Sequence, residues 1–161
     1  MVQYSIRRVR IYLISVKLLS GSRVENMIKM KVKGVGSDQL GNFLILLVDD
    51  EETKVLPVTV GELEAQNILI PMEEIEVPRP MTHDLFQTAV EKLGGELEKV
   101  VITKIENNTY YANLHIKQGE EDITIDARPS DAIALALRAD IPIYMKFPLV
   151  EFTYDLSDVK L

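Results

Sequence analysis

The chain has 161 residues and no cysteine, so disulfides, thiolate nucleophiles and cysteine-zinc sites are excluded. This length is typical of one domain with a substantial hydrophobic core. The net charge of −7 is unevenly distributed, because residues 1–26 are basic and the rest of the chain is strongly acidic. An acidic body does not attract nucleic acid by overall charge, so contact with a polyanion requires bound cations or a local basic patch.

Residues 1–26 are predicted to be an extension outside the domain, whose natural start is Met27 or Met30. Lys17 interrupts the apolar run at residues 11–16, and no clean small-residue cleavage site follows. The run is also far shorter than the roughly 20 residues that a membrane-spanning helix needs. An extra strand or helix and a targeting signal are the alternatives. We expect a cytoplasmic protein without a membrane partner.

The first half of the domain is predicted to contain three strands and a helix. The strands are indicated by alternating or continuous apolar residues at 30–36, 43–48 and 55–60. Pro57 removes a hydrogen-bond donor and favours an edge or bulge position for the third strand. Gly61 ends that strand, and apolar residues at helical spacing follow from Ala65 to Met72. Residues 75–77 are expected to form a short strand after the helix.

A connecting helix is predicted between the two halves. Thr82 is a good N-cap residue, and Gly94 with Gly95 ends the helix. At helical spacing between them lies an apolar stripe, formed by Leu85, Phe86, Ala89, Val90 and Leu93.

The second half is predicted to repeat the order of the first. Strands are indicated at residues 100–105, 110–116 and 123–127. Pro129 suits the first position of the next helix, where Ser130 and Asp131 are expected to accept hydrogen bonds from free N–H groups. This helix is apolar almost all round to Ala139, so we expect it to be buried. An extended segment at 141–145 and a last strand including Val150, Phe152 and Tyr154 follow.

Sliding the chain by 67 positions superimposes the apolar patterns of the two halves. This predicts an internal duplication of a β-β-β-α-β unit, at about residues 28–77 and 95–145, with chance similarity as the alternative. The predicted domain is 27–150, and 151–161 is a tail. Because strands follow one another directly, we expect an α+β fold, with a mixed or antiparallel sheet and about three helices.

Three segments resemble the signature of the bifunctional nuclease domain family. They read VLPVTVGELEA at residues 55–65, RPMTHDL at 79–85, and RPSDAIALALR at 128–138 with IPI at 141–143. The resemblance covers roughly residues 29–150. It implies a nuclease that acts on DNA and RNA.

Under this resemblance, polar residues near the helix starts form the expected site. The expected catalytic residues are His83, Asp84, Asp126 and Asp131. The expected substrate-binding residues are Arg79, Thr82, Arg128 and Ser130. Asp84, Asp126, Asp131 and Glu64 would hold Mg²⁺ or Mn²⁺, because these hard cations prefer oxygen ligands. The histidine would act as general base or acid, and the arginines would hold phosphate oxygens.

The alternative is a non-enzymatic module that forms an oligomer interface or binds a small anion. In this interpretation the acids and hydroxyls only cap helices, and an arginine beside them only pairs with them. A homo-oligomer, a dimer or larger, is expected in both cases from the apolar tail and exposed strand edges. The two interpretations differ in one geometric respect. Convergence of His83 and the aspartates in one cleft favours the enzyme, whereas separate helix caps favour the module.

Overall fold

Eight strands and three α-helices form the part of the chain that the structure, a computed structural model, describes, which is residues 26–159. The predicted extension, except for Asn26, lies outside the described residues. The strands are β1 Met27–Ser37, β2 Phe43–Asp49, β3 Lys54–Val60, β4 Glu96–Glu106, β5 Thr109–Gln118, β6 Glu121–Ala127, β7 Ile143–Lys146 and β8 Tyr154–Asp155. The α-helices are α1 Glu62–Met72, α2 Thr82–Lys92 and α3 Pro129–Ala139.

All eight strands belong to one sheet, in the order β6-β5-β4-β7-β1-β2-β3-β8. Neighbouring strands are antiparallel except β4 and β7, which are parallel. Two antiparallel meanders, β1-β2-β3 and β4-β5-β6, therefore flank the short central strand β7. The predicted α+β fold with a mixed, mostly antiparallel sheet and three helices is confirmed.

The internal duplication is not confirmed. Each half does contain three consecutive strands followed by an 11-residue helix. The predicted short strand at 75–77 is wrong, however, because these residues are outside the sheet, and Ile75 and Val77 are exposed. Only one strand fits between the two meanders, and β7 from the second half takes that place.

Helix α3 is the centre of the hydrophobic core, as its apolar composition predicts. Seven of its eleven residues are buried, including Ile133, which is completely inaccessible. Pro129 occupies the first helical turn as predicted, and the helix ends where Asp140 adopts a left-handed conformation with φ 53°. Burying an aliphatic side chain of this size contributes roughly 1.5–3 kcal/mol. The sheet packs on α3 through its own buried residues, among them Ile45, Leu47, Leu56, Ile102, Leu114 and Met145.

The predicted last strand is partly wrong. Residues Phe147–Phe152 form a 3-10 helix, because Pro148 has a fixed φ and no N–H to donate to a strand ladder. Only Tyr154 lies in a strand, β8, which pairs with β3. Beyond it, Leu156 and Val159 pack on a second small cluster of Leu46, Val48 and Val55. The end of the chain therefore covers the β2–β3 side of the sheet.

Helix α2 forms where predicted, but its apolar stripe is not buried. None of its residues is fully buried, although Val90 packs against the core. Leu85 and Phe86 are exposed, as is Leu93 just beyond its end. Among residues 26–159 there is no helix with the length and apolarity required to cross a membrane.

Candidate functional site

Asp131, in the first turn of α3, is the centre of a polar cluster. Its Oδ1 lies 3.2 Å from His83 Nε2 of α2. Arg128, the residue before α3, donates from Nε to Asp131 Oδ2 at 2.6 Å and from Nη2 to Oδ1 at 3.1 Å. Two of the sequence motifs are thereby joined by hydrogen bonds across 48 positions of the chain.

The first-half motif joins the same cluster through Glu64 of α1. Arg128 Nη1 donates to Glu64 Oε1 at 2.9 Å, so one guanidinium contacts two carboxylates. The Glu64 side chain folds back over Gly61, where an added Cβ would overlap the carboxylate. A glycine at this position thus allows Glu64 to reach the arginine.

A second ion pair lies beside the first and was not predicted. Arg138 of α3 donates from Nε to Asp84 Oδ1 at 2.7 Å, and the arginine side chain is only 6% exposed. The other oxygen of Asp84 accepts from the Met81 backbone N–H at 2.7 Å and so caps α2. The sequence signal for this pair was a single basic side chain in the last turn of an otherwise largely apolar helix.

The two aspartates are held ionised by their partners. Burial opposes ionisation of Asp131, but hydrogen bonds and charge from Arg128 and His83 outweigh it and lower the pKa of Asp131. Burial also opposes ionisation of Asp84, yet the Met81 N–H and Arg138 lower the pKa of this carboxyl. Both groups therefore act as carboxylates at neutral pH and not as proton donors.

The predicted helix caps are wrong for Thr82, Ser130 and Asp131. Helix α2 is preceded by Met81 at its N-cap, so Thr82 is already inside the helix, and Asp84 makes the capping contact instead. Helix α3 has no side-chain cap, because Asp131 is engaged by His83 and Arg128. Ser130 is 7% exposed, and its hydroxyl makes no hydrogen bond to any residue in the range 26–159.

A pocket of about 320 Å³ adjoins the cluster at the starts of α1 and α3. Arg128, Ser130 and Glu64 line it, together with residues from both ends of the curled sheet. Tyr110 of β5 is one of these, and burial, with a smaller effect of Tyr154 on β8, raises its pKa. The sheet therefore curls far enough for β3 and β5, which lie near opposite ends of the strand order, to line the same pocket. The remaining lining residues are Val58, Thr59, Val60, Gly61, Asn108, Thr109 and Pro129.

Two predicted site residues lie away from the cluster. Asp126 is exposed on β6 opposite Asn113, and strand alternation directs it away from Ala127, which packs on the core. Its electrostatic neighbour is Lys104 of β4. Arg79 is exposed in the loop before α2 and has no ion pair or hydrogen bond within the described segment.

The described residues do not fit the predicted Mg²⁺ or Mn²⁺ site. Residues 26–159 contain no group of three or more histidines or acids placed to hold a metal ion. The Arg128 guanidinium contacts both Glu64 and Asp131, so it already takes the position that a cation bound to both would need. With Asp126 on another face, the predicted ligands do not converge, and metal binding stays a prediction.

The two ring nitrogens of His83 have different environments. A carboxylate can only accept, so Nε2 carries the proton that is donated to Asp131. Nδ1 is buried and has no hydrogen-bond partner among the described residues. Any exchange of protons with solvent or substrate therefore takes place at Nε2.

Comparison with known proteins agrees with these motifs. Residues 45–153 match the family model described as bifunctional nuclease domain. A protein of Mycobacterium tuberculosis described as uncharacterised is 36% identical over 119 residues, which cover 73% of this chain and 71% of the relative. Bifunctional nuclease 1 of Oryza sativa subsp. japonica is 31% identical over 103 residues, or 62% of this chain and 31% of the rice protein.

Bifunctional nuclease 1 of Arabidopsis thaliana is also 31% identical over 103 residues, which cover 62% of this chain and 32% of the plant protein. The plant proteins are thus about three times longer than the matched region. The family model covers most of the present chain, including all residues of the polar cluster. This chain belongs to the bifunctional nuclease domain family.

Proposed function

We propose that this protein is a nuclease that hydrolyses phosphodiester bonds in DNA and RNA. One observation carries the proposal. Three segments that are far apart in the sequence supply Glu64, His83, Arg128 and Asp131 to one hydrogen-bonded cluster beside a pocket. The family model matches residues 45–153, which include this cluster, and the plant relatives named as nucleases match 62% of the chain.

Arg128 is the group that binds the scissile phosphate in this proposal. Its side chain is 65% exposed although it contacts two carboxylates. Guanidinium groups bind carboxylate and phosphate oxygens with the same planar geometry, so a substrate phosphate can replace one carboxylate. That exchange would release Asp131 from its present bidentate contact.

Hydrolysis forms a bond between the water oxygen and phosphorus and breaks a phosphorus–oxygen ester bond. The attacking water must lose a proton, and the departing oxygen must gain one. His83 Nε2 is the group proposed to protonate the departing oxygen, which takes the place of Asp131 Oδ1. As an imidazolium the ring gives up the Nε2 proton and keeps the one on buried Nδ1, while the attacking water gives its proton to solvent. Asp131 is a poor base because its pKa is lowered, so its role is to orient the imidazole.

The test is cleavage of labelled single-stranded and duplex DNA and RNA by the purified full-length chain. Each reaction is run with EDTA, with Mg²⁺ and with Mn²⁺, since assistance by either metal stays a prediction. Asp131→Asn and His83→Ala are compared with Asp126→Asn, which changes the same chemical group outside the cluster. Thermal melts establish that each variant is folded.

We expect cleavage by the parent and by Asp126→Asn, and a loss of at least 100-fold in Asp131→Asn and His83→Ala. Equal cleavage by all four proteins would place the activity elsewhere. Loss in Asp126→Asn alone would favour the site predicted from the sequence over the cluster.

A non-enzymatic module is the second candidate, and exposed apolar side chains on and just beyond α2 favour it. Leu85 and Leu93 are 64% and 76% exposed, as expected for a helix that contacts a partner subunit. No cleavage by the folded parent, combined with a dimer or larger assembly in light scattering, would support this function. The homo-oligomer and a cytoplasmic location are predictions that accompany both candidates.

A further inference from the structure

The outward side of the sheet carries a concentration of lysines that the polar cluster does not use. Strand register places Lys29, Tyr144, Val101, Asn113 and Asp126 in one row across β1, β7, β4, β5 and β6. Five strands at 4.8 Å spacing give this row a length of roughly 19 Å. The residues before and after each member of the row point to the opposite side of the sheet, toward the core around α3. We call this surface the outer face; it also contains Lys31, Lys33, Lys99, Lys104, Tyr111, His115 and Thr124.

Lysines outnumber acids on the outer face, although the whole chain has a net charge of −7. Lys31 and Lys33 share a single carboxylate, that of Glu52, at 2.7 and 2.6 Å. Lys29 and Lys99 form no ion pair with any residue in the range 26–159. The remaining acids are Glu106, paired with Lys104 at 2.9 Å, and Asp126 at the end of the row. Past Lys99 the same face continues with Glu96 and Asp122 on either side of Lys117, which pairs with Asp122 at 2.7 Å.

Two tyrosines lie among these lysines. Lys104 Nζ is 4.5 Å from the centre of the Tyr111 ring, which gives a cation–π contact. Tyr144 lies between Lys29 and Val101 in the row, and Val101 is only 3% exposed. Both rings are half-buried and therefore held on the sheet surface.

We propose that the outer face binds single-stranded nucleic acid, with lysines contacting phosphates and Tyr111 and Tyr144 stacking on bases. Surfaces that bind single strands combine basic groups along the backbone path with aromatic rings for the bases. Unpaired bases are free to stack on a ring lying on a sheet, whereas bases inside a duplex are not. No helix projects from this face among the described residues to enter a duplex groove. This interaction does not depend on cleavage.

The outer face also reaches the edge of the polar cluster. Asp126 ends the row on β6 and precedes Arg128 by two positions. Tyr111 follows Tyr110, which lines the pocket. A strand lying along the row can therefore continue over this edge toward Arg128.

The test is fluorescence anisotropy with a labelled 15-nucleotide single strand, as DNA and as RNA, and with the matching duplex. The full-length chain is used, with EDTA present. Lys29→Gln combined with Lys99→Gln removes two lysines of this face that form no ion pair among residues 26–159. Lys92→Gln combined with Lys54→Gln is the control for charge, because it removes the same charge elsewhere, although it also breaks the Lys54–Asp155 ion pair. Tyr144→Leu removes a ring but keeps an apolar cover over Val101.

We expect the outer-face lysine variant to bind at least five-fold more weakly than the control pair, and Tyr144→Leu to lose five-fold or more. Asp126→Asn is expected to bind more tightly, because it removes a negative charge from the row. About four phosphate contacts predict a loss of roughly fifty-fold in parent affinity between 50 and 200 mM salt.

Unchanged binding in the outer-face lysine variant overturns the proposal, since another basic segment is then responsible. Tighter binding of the duplex than of the single strand overturns it as well. A parent chain that binds single strands but does not cleave them contradicts only the proposed nuclease function. If the parent cleaves nucleic acid but the outer-face lysine variant binds single strands as tightly as the parent, only the proposed binding by the outer face is contradicted.

Discussion

The Asp84 carboxylate on α2 accepts a hydrogen bond from Arg138 Nε on α3 at 2.7 Å, across 54 positions of the chain. Arg138 Nη1 also donates to the backbone oxygens of Asn67 at 2.7 Å and Ala134 at 3.0 Å. The pair lies one residue along α2 from His83, which contacts Asp131. No residue of α2 is fully buried, so these two polar contacts, together with the packing of Val90 on the core, hold His83 relative to α3.

Arg138→Met is expected to reduce the free energy of unfolding by about 3 kcal/mol. Breaking one partner of a buried ion pair typically costs 3–5 kcal/mol, and partial exposure of Asp84 places the loss at the low end. Urea denaturation at pH 7 measures it. Combining Arg138→Met with Asp84→Asn should cost less than the sum of the single changes, because it removes both charges. A loss below about 1 kcal/mol in Arg138→Met would show that the pair is not a main support of α2.

The free energy of unfolding is expected to decrease as the pH is lowered and Asp84 and Asp131 become protonated. The folded-state pKa of each is below the unfolded value, which is about 3.9. Each carboxylate therefore stabilises the fold at pH values above about 4, and this contribution is lost as the pH falls through the lowered folded pKa. Denaturation between pH 6 and pH 2 measures the effect. In Asp131→Asn the free energy of unfolding should depend less steeply on pH in the acidic range. An unchanged dependence would contradict the prediction.

Gly61→Ala is expected to separate Glu64 from Arg128 without unfolding the chain. Residue 61 has φ −77°, which alanine adopts freely, but a Cβ there overlaps the Glu64 carboxylate. That carboxylate is the end of a flexible side chain and can move away. We expect a melting temperature close to that of the parent and a crystal structure in which Glu64 no longer contacts Arg128. An intact contact in that structure would refute this account of the glycine.

Ser130→Ala is expected to leave stability almost unchanged, within about 0.5 kcal/mol. Its hydroxyl makes no hydrogen bond within the described chain, so nothing is lost, and alanine is a better helix former. Cleavage assays on this folded variant then isolate the part that Ser130 plays in the pocket. A large loss of stability would reveal a structural role instead, and Ser130→Thr would test whether the hydroxyl alone restores it.

Much of the secondary structure followed from local pattern. The alternating segments became strands, and α3 is buried because it is apolar almost all round. Predictions from the apolar pattern were wrong where the outcome depends on which segments pack together. Residues 75–77 form no strand, and most of the stripe on α2 is exposed although its spacing is that of a core helix. The spacing of apolar residues shows which side of a helix or strand is apolar, but not what packs against that side.

The candidate site was predicted in part. The sequence identified Glu64, His83, Arg128 and Asp131, which the fold brings together, but it equally identified Asp126 and Arg79, which lie apart. Arg138 was missed, since a single arginine in an apolar helix does not indicate its partner. Capping by Thr82, Ser130 and Asp131 was expected from position alone, yet Asp131 bonds to side chains from other elements.

The sequence by itself determined the order of strands and helices, the burial of α3 and the motifs of the family. Those features depend on local conformational preference and on the apolar pattern of each segment. Only the tertiary structure decided the place of β7 between the meanders, the return of the chain end onto β3, and the contact of His83 with Asp131. These depend on which surfaces of distant segments pack together, and that is a property of the whole chain.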